Sequence, residues 1–250
     1  MKFSFVILTW NRAVFLEKCI TALLESIQDF SETEIVIVDN GSTDDTEMIL
    51  SKYVKDKRFN IKRLKRNLGL RSYKKLFNIA KGEYIVIVDD DVLVFPKDIQ
   101  NIFTSYMTSF PDYGFLAMDV IQNEFTDGAK PSKEFYIEDQ RENKIIEEGP
   151  AGGWCSCFRK KDYRKIKFHF IFSKLTMKNG EDGLLTSLLY KKLGLRHGVI
   201  KGQFCFHANG PHYSKEYGYL ERDIEKYKMS GLDNCARLYK EYKLNDTLKK

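Results

Sequence analysis

The sequence predicts an α/β fold with a mostly parallel central sheet flanked by helices. Val- and Ile-rich runs alternate with segments of helical periodicity through the first half of the chain, the pattern of repeated βα units. Polar or acidic punctuation follows each run, at the carboxyl end of the strand, where open parallel sheets bind ligands. At 250 residues, 43% hydrophobic and 30% charged, the chain has the size and composition of one packed domain rather than of a disordered segment.

The first strand is FSFVILT (3–9), and residues 13–28 carry Phe15, Leu16, Cys19, Ile20, Leu23, Leu24 and Ile27 at helical spacing. EIVIVD (34–39) is the second strand, after which the polar turn of NGSTDDTEMILSKYV caps a helix. FNIKRL (59–64) is the third strand, 71–81 the third helix and EYIVIVD (83–89) the fourth strand. A helix begun near Pro96 leads to YGFLAMDVI (113–121), another strand. Residues 122–149 hold eight acidic against four basic side chains and few aliphatics, which suits an exposed loop or hairpin. GGWCSCFRK (152–160) reads as a strand or β-ribbon, and GEDGLLTSLLYKKLG (180–194) as a helix with acids at its start and lysines at its end. From about Ser214 to Lys243 the pattern is a broken amphipathic helix in which Tyr219, Leu220, Ile224 and Tyr227 form a packing or oligomer face.

Composition narrows the classes of function. The formal charge of +6 fits an anionic partner and fits solubility equally well. Five irregularly spaced cysteines argue against a secreted disulfide framework and for a reducing cytoplasm. The start MKFSFVILTWNR lacks the features of a signal peptide, and no run reaches the roughly 18 apolar residues that cross a bilayer, so work at a membrane would be peripheral, on its cytoplasmic face. RFNIKRLKRN reads as a strand with solvated lysines and no stacking platform, which disfavours nucleic acid. Cys155, Cys157, Cys205 and His207 are spaced too tightly for a usual structural zinc site, so core packing is the better reading of the cysteines. Residues 159–178 mix eight basic residues with Phe168, Phe170, Ile171 and Phe172; they could touch an anionic lipid surface, but an exposed loop that tucks its aromatics inward is preferred.

The chemistry begins at YIVIVDDDVLVFP (84–96), which sets three aspartates where an apolar strand ends. Mutual repulsion and desolvation oppose such a cluster unless solvent or a cation offsets them. Alternation along an extended chain puts Asp89 and Asp91 on one side, where they could share one divalent cation. TWNR, DNGSTD, NLGLR and DDD each follow a strand, so four separate segments converge on one rim.

In this order VILTWNR, VDNGSTDDT, NLGLRSYKKLFNIAKGEYIVIVDDD and the GED of 180–182 resemble the family 2 glycosyltransferases, enzymes with the nucleotide-sugar-binding GT-A fold. The resemblance is dense over 3–98, returns at 150–194 and fades in the last fifty residues. It implies a single GT-A domain over 1–213, with a nucleotide-binding half (1–98), a smaller irregular acceptor-binding half (99–213) and a C-terminal helical tail (214–250). By resemblance, Thr9, Asn11 and Arg12 border the nucleotide pocket, Asp39 bonds the base, and Ser42 and Asp44 shape the same loop about a turn at Gly41. Asn67, Gly69 and Arg71 close over the base and diphosphate. Asp89 and Asp90 lie towards the donor, Asp91 with Asp89 binds Mn²⁺ or Mg²⁺, and His207, with His212 as second choice, completes the metal shell.

Asp182 matches the catalytic base, with Glu181 its neighbour and next candidate. Gly152, Gly153 and Trp154 are read as a floor under donor sugar and acceptor, since glycine admits a ligand and an indole stacks on a sugar face; a glycine turn before a core Trp is the alternative. Asp44 and Asp45 could equally be acids at a helix start. The activity expected is a metal-dependent, inverting transfer of one sugar, of hexosyl type, from a nucleotide-sugar donor, UDP-linked by preference, to a hydroxyl of a saccharide, lipid-linked or protein acceptor. The Q-x-x-R-W signature of processive relatives does not occur in the sequence, which favours single additions. A nucleotide-sugar-forming nucleotidyltransferase would place a Gly-rich phosphate loop where TWNRAVF stands, and an inactive scaffold would lack the acids.

Overall fold

The computed structural model describes residues 1–126, 130–177 and 180–247. In chain order the elements are β1 (Phe3–Thr9), α1 (Ala13–Ser26), β2 (Thr33–Asp39), α2 (Thr46–Ser51), β3 (Phe59–Arg63), α3 (Ser72–Ile79), β4 (Tyr84–Asp89), β5 (Val92–Val94), α4 (Ile99–Ser109) and β6 (Tyr113–Val120). There follow β7 (Ile137–Arg141), β8 (Lys144–Glu148), β9 (Cys155–Arg159), α5 (Lys160–Phe172), α6 (Glu181–Leu193), β10 (Arg196–His207), α7 (Pro211–Glu216), α8 (Leu220–Met229) and α9 (Asp233–Thr247).

The strands form one sheet in the order β3-β2-β1-β4-β9-β6-β10-β8-β7, with β5 paired to β10 off that path. It is an α/β fold with a mixed sheet. β1 lies parallel to both β2 and β4, with Phe3 opposite Thr33 on one side and Tyr84 on the other. β9 then enters antiparallel between β4 and β6, while β6 and β10 run parallel. β1 is apolar along almost its whole length because helices cover both faces of the sheet. Alternation sends Phe3, Phe5 and Ile7 into a core with α1 and α4, and Val6 into a second core with Tyr73, Phe77, Phe158, Tyr163 and Phe170.

Residues 122–149 do contain a hairpin, β7 and β8, which extends the sheet beyond β10. Three elements differ from the sequence reading, the shortest being β5, a strand directly after the aspartates where none was expected. The stretch expected as a loop after Arg159 is the helix α5, whose Tyr163, Ile166 and Phe170 are buried. Its exposed Phe168 and Phe172 lie off that stripe and obscure the helical period; Lys178, at the end of the same stretch, falls outside the described residues. β10 was not anticipated at all, because its register shifts between Ile200 and Phe204, around Gly202 at φ +76, and breaks the alternation. In the tail, Leu220 and Ile224 pack with Tyr239, and the Tyr219 ring lies 5.3 Å from that of Phe15. Among the described residues no helix is long and apolar enough to cross a membrane.

Candidate active site

A cleft of about 660 Å³ opens beyond the carboxyl ends of β1 and β4, lined by Thr9, Arg12, Asn67–Arg71, Tyr73, Asp89–Asp91, Gly153, Lys174–Met177, Gly180–Asp182, His207 and residues of α8. At its floor Thr9 Oγ1 donates to Asp90 Oδ2 at 2.7 Å. The Arg12 guanidinium donates to Asp91 Oδ2 at 2.5 Å and Asp90 Oδ1 at 3.2 Å, and its other terminal nitrogen reaches Asp223 at 3.1 Å. Arg12 is therefore a hub that neutralises Asp90 and Asp91 from behind.

β5 follows the triplet and pairs with the end of β10, placing His207 opposite Val92, and Ala208 N–H donates to the carbonyl of Asp91 at 2.9 Å. That pairing sets His207 Nε2 3.0 Å from Asp91 Oδ1 and 3.7 Å from Asp89 Oδ2. Among the described residues these three form the group whose ligand atoms lie within 4.8 Å of one another. Burial would lower His207, but Asp91 and Asp89 outweigh it and raise it to about 9. Burial would raise Asp91, yet His207 and Arg12 hold it well below the usual carboxylate range. Asp89, a third exposed into the cleft, is pushed up to about 6 by burial, against the pull of His207. The arrangement suits a cation: two carboxylates and an imidazole converge, and the most open acid has the least compensation.

Asp182 stands in the first turn of α6. Its Oδ1 accepts from Gly183 N–H at 2.7 Å and its Oδ2 from Gly153 N–H at 3.0 Å. Burial raises its pKa, and those two N–H groups pull the other way. Glu181 is buried and pushed well up by burial and by the charges of Asp182 and Asp89. The pair is thus split, with Glu181 favouring its neutral form more strongly than Asp182 does. Gly153 leaves room for the Glu181 carboxyl: a Cβ there would come 3.1 Å from Glu181 Oε1.

Other sequence candidates stand behind the cleft and shape it. Asp39 is fully buried, accepts from Ser42 N–H at 2.9 Å and has Arg63 Nε 3.2 Å from its second oxygen. Asn11, at φ +50, donates its N–H to Ser42 Oγ and accepts from Thr43 N–H, tying the first two loops together. Asp44 accepts from Ala13 N–H and from both donors of Thr46, the part of an acid at a helix start. Asn67 accepts from Gly69 N–H at 2.7 Å, closing the turn that carries Arg71 to the cleft. Trp154 is corrected from a sugar-stacking candidate to a core residue: it is buried, its indole N–H donates to Met118 O at 2.9 Å, and its ring fills the space beside Gly152. His212 lies away from the acids, stacked on Phe125 with Nδ1 2.9 Å from the Tyr242 hydroxyl. The five cysteines are free.

The sequence reading missed the contribution of α8. Asp223 sits on the buried stripe with Leu220 and Ile224, accepting from Arg12, Arg222 and Ser214, while Arg222 also donates to Trp10 O at 2.6 Å. Arg222 and Lys226 face the cleft, the latter with no carboxylate oxygen within 4.0 Å among the described residues. An acid on an otherwise apolar i, i+3, i+4 stripe was the available signal.

The sequence profile of Glycosyl transferase family 2 matches residues 4–167, well over half of the chain. The chain belongs to glycosyl transferase family 2. This family 2 glycosyltransferase is 28% identical over 247 residues to an uncharacterized glycosyltransferase of Methanocaldococcus jannaschii, covering 96% of the chain and 75% of that relative. It is 28% identical over 189 residues to the glycosyltransferase GlyG of Streptococcus pneumoniae, 71% of this chain but 60% of GlyG. Among solved structures, Staphylococcus aureus TarS 1–349 with UDP-GlcNAc superposes with TM-score 0.64 at 20% identity, over 88% of this chain and 64% of that one. The mannosyltransferase PcManGT of Pyrobaculum calidifontis, with GDP-Man and Mn²⁺, gives 0.62 at 14% identity over 90% of this chain and 60% of that one. These structural likenesses establish the GT-A fold. The family match ends before Asp182, His207 and α8, so their roles rest on geometry.

Proposed function

We propose that this glycosyltransferase moves one sugar from a UDP-sugar to an acceptor hydroxyl by a single, metal-dependent displacement with inversion. The observation that carries the reading is one cleft with Asp89, Asp91 and His207 converging at one place and Asp182 oriented at another. Asp89, Asp91 and His207 would hold Mn²⁺ or Mg²⁺, whose charge would offset that growing on a diphosphate leaving group. Asp182 keeps lone pairs free beyond its two backbone bonds, so it can take the proton of an attacking hydroxyl. Glu181, buried and favouring the neutral form, lowers the negative charge beside it. Arg222 and Lys226 line the cleft wall; burial and the guanidinium groups of Arg12 and Arg222 pull the Lys226 pKa down, and a departing diphosphate would favour its charged form. A carboxylate base on one side and a leaving group on the other suits inversion, because no second nucleophile is required.

A UDP-linked donor is favoured by the likeness to TarS with UDP-GlcNAc, and a GDP-linked donor is the competing choice from PcManGT. The acceptor is a saccharide, lipid-linked or protein hydroxyl, and the free cysteines fit a cytoplasmic setting. On this reading the helical tail is part of the donor site, since α8 supplies Arg222 and Lys226 to the cleft wall and Asp223 to Arg12 behind it. The test is calorimetric titration with UDP, GDP, CDP and dTDP, with and without Mn²⁺, on wild type and Asp91→Asn. One nucleotide should bind with a need for metal that Asp91→Asn abolishes; metal-independent binding, or unchanged binding in the variant, would remove the triplet from this role.

A further inference from the structure

We propose that the outer face of α5 is a docking surface for an anionic phospholipid bilayer. At about 100° per residue, Lys161, Arg164, Lys165, Phe168 and Phe172 fall within about a third of the helix circumference. All five are exposed, and the two phenylalanines, one turn apart, are 75% and 83% exposed, as if placed for a contact outside the chain. The opposite stripe, Tyr163, Ile166 and Phe170, is buried in the core, so the exposed ring pair is not needed to hold the helix. The acid of α5, Asp162, faces inward beside Arg159 at 3.5 Å and Lys165 at 3.6 Å, leaving no carboxylate of this helix on the outer face.

The charge pattern chooses the occupant. Three cations next to two exposed rings complement a surface that is negative and apolar beneath, which is the interface of an anionic bilayer. A second copy is disfavoured because a twofold contact through this face would bring the same cations together. Single-stranded nucleic acid is disfavoured because the rings stand on a convex helix rather than in a groove. The helix is also well anchored for this purpose. Lys74 Nζ donates to the carbonyls of Ile171 and Ser173 at 2.7 and 2.8 Å, fixing the Phe172 end. The chain then runs directly into Lys174–Met177, which line the cleft.

The experiment is co-sedimentation of the full chain with phosphatidylcholine vesicles and with vesicles carrying about one-third phosphatidylglycerol. Wild type should bind the anionic vesicles about tenfold better than the neutral ones, and less well as salt rises to about 0.5 M. Phe168→Ser/Phe172→Ser and Lys161→Glu/Arg164→Glu should each lower that binding about tenfold with circular dichroism and melting temperature unchanged. Equal binding to both compositions, or full binding by both variants, overturns the proposal. So does a wild-type dimer that these variants dissociate, or single-stranded RNA binding that they abolish without any vesicle binding. The readout uses no nucleotide, so it succeeds or fails separately from the donor titration.

Discussion

Replacing Asp223 by Ala removes the carboxylate that ties the last quarter of the chain to the first loop. Asp223 is 1% exposed and accepts from both faces of the contact, Arg12 at 3.1 and 3.2 Å and Ser214 Oγ at 2.5 Å. Breaking a buried ion pair costs roughly 3–5 kcal/mol, and Arg12 keeps Asp90 and Asp91, so the lower end, about 3 kcal/mol, applies. The acid itself gives a second route to the magnitude. Burial would raise Asp223, but Arg12 and Arg222 hold it at about 2. An aspartate held from its ordinary value down to about 2 corresponds to about 2.5 kcal/mol, close to that figure. For a chain of this size that lowers the melting temperature by about 6–12 °C. Because the folded-state pKa is depressed, the contribution is present above about pH 4 and is lost as pH falls from there towards the folded value. Differential scanning calorimetry of wild type, Asp223→Ala and Asp223→Asn at neutral pH, and of wild type and Asp223→Asn down a pH series, reads both parts. The gap between wild type and Asp223→Asn should close as the medium becomes more acid. A shift under about 2 °C at neutral pH would refute the reasoning, since a buried pair of this geometry cannot be broken so cheaply.

Asp182→Asn should lower turnover by about 10² to 10⁴ with donor affinity kept, as measured by steady-state kinetics beside nucleotide titration. Because burial raises Asp182 and a base must be ionised, wild-type rate should fall on acidification at a higher pH than an ordinary aspartate would give; an acid limb at the ordinary value would count against it. Gly180 sits at φ +27, and a Cβ there would lie 2.1 Å from Asp182 Oδ1, so Gly180→Ala should displace the carboxylate and cut turnover about tenfold or more while the fold survives. Lys226→Met should weaken nucleoside diphosphate binding about tenfold or more, by loss of a charge-assisted contact; unchanged affinity in the titration would exclude Lys226 from the diphosphate.

The first half of the fold was legible because β1, β2 and β4 are buried on both faces and so appear as unbroken Val and Ile runs, with turn residues between them. The second half was not, and the reasons differ. β10 carries a glycine bulge that destroys its period, and α5 carries aromatics on both its faces. Among site residues, Asp89 and Asp91 announced themselves by position after a strand, whereas Asp182 was given by the resemblance of GED to the family motif. His207 came from the family resemblance, and its contact with Asp91 depends on β5 pairing with β10. Trp154 and Asp223 misled in opposite directions: an aromatic beside glycines is in the core, and an acid in an ordinary-looking helix reaches the cleft floor through Arg12. Burial of a single side chain is decided by tertiary packing, which local pattern does not encode.

The position of β10 also sets a timetable for the nascent chain. β4 is finished at residue 89, yet its second neighbour, β9, begins at 155, and the far side of β6 stays open until β10 arrives at 196–207. At synthesis rates of about 5–20 residues per second, β4 waits on the ribosome for about 3–13 s with an unpaired apolar edge. Such an edge invites pairing with a neighbouring chain, so this is the interval in which a chaperone or a slower translation rate would alter yield most. β10 also delivers the imidazole, so no chain shorter than 207 residues can carry the complete acid–imidazole cluster.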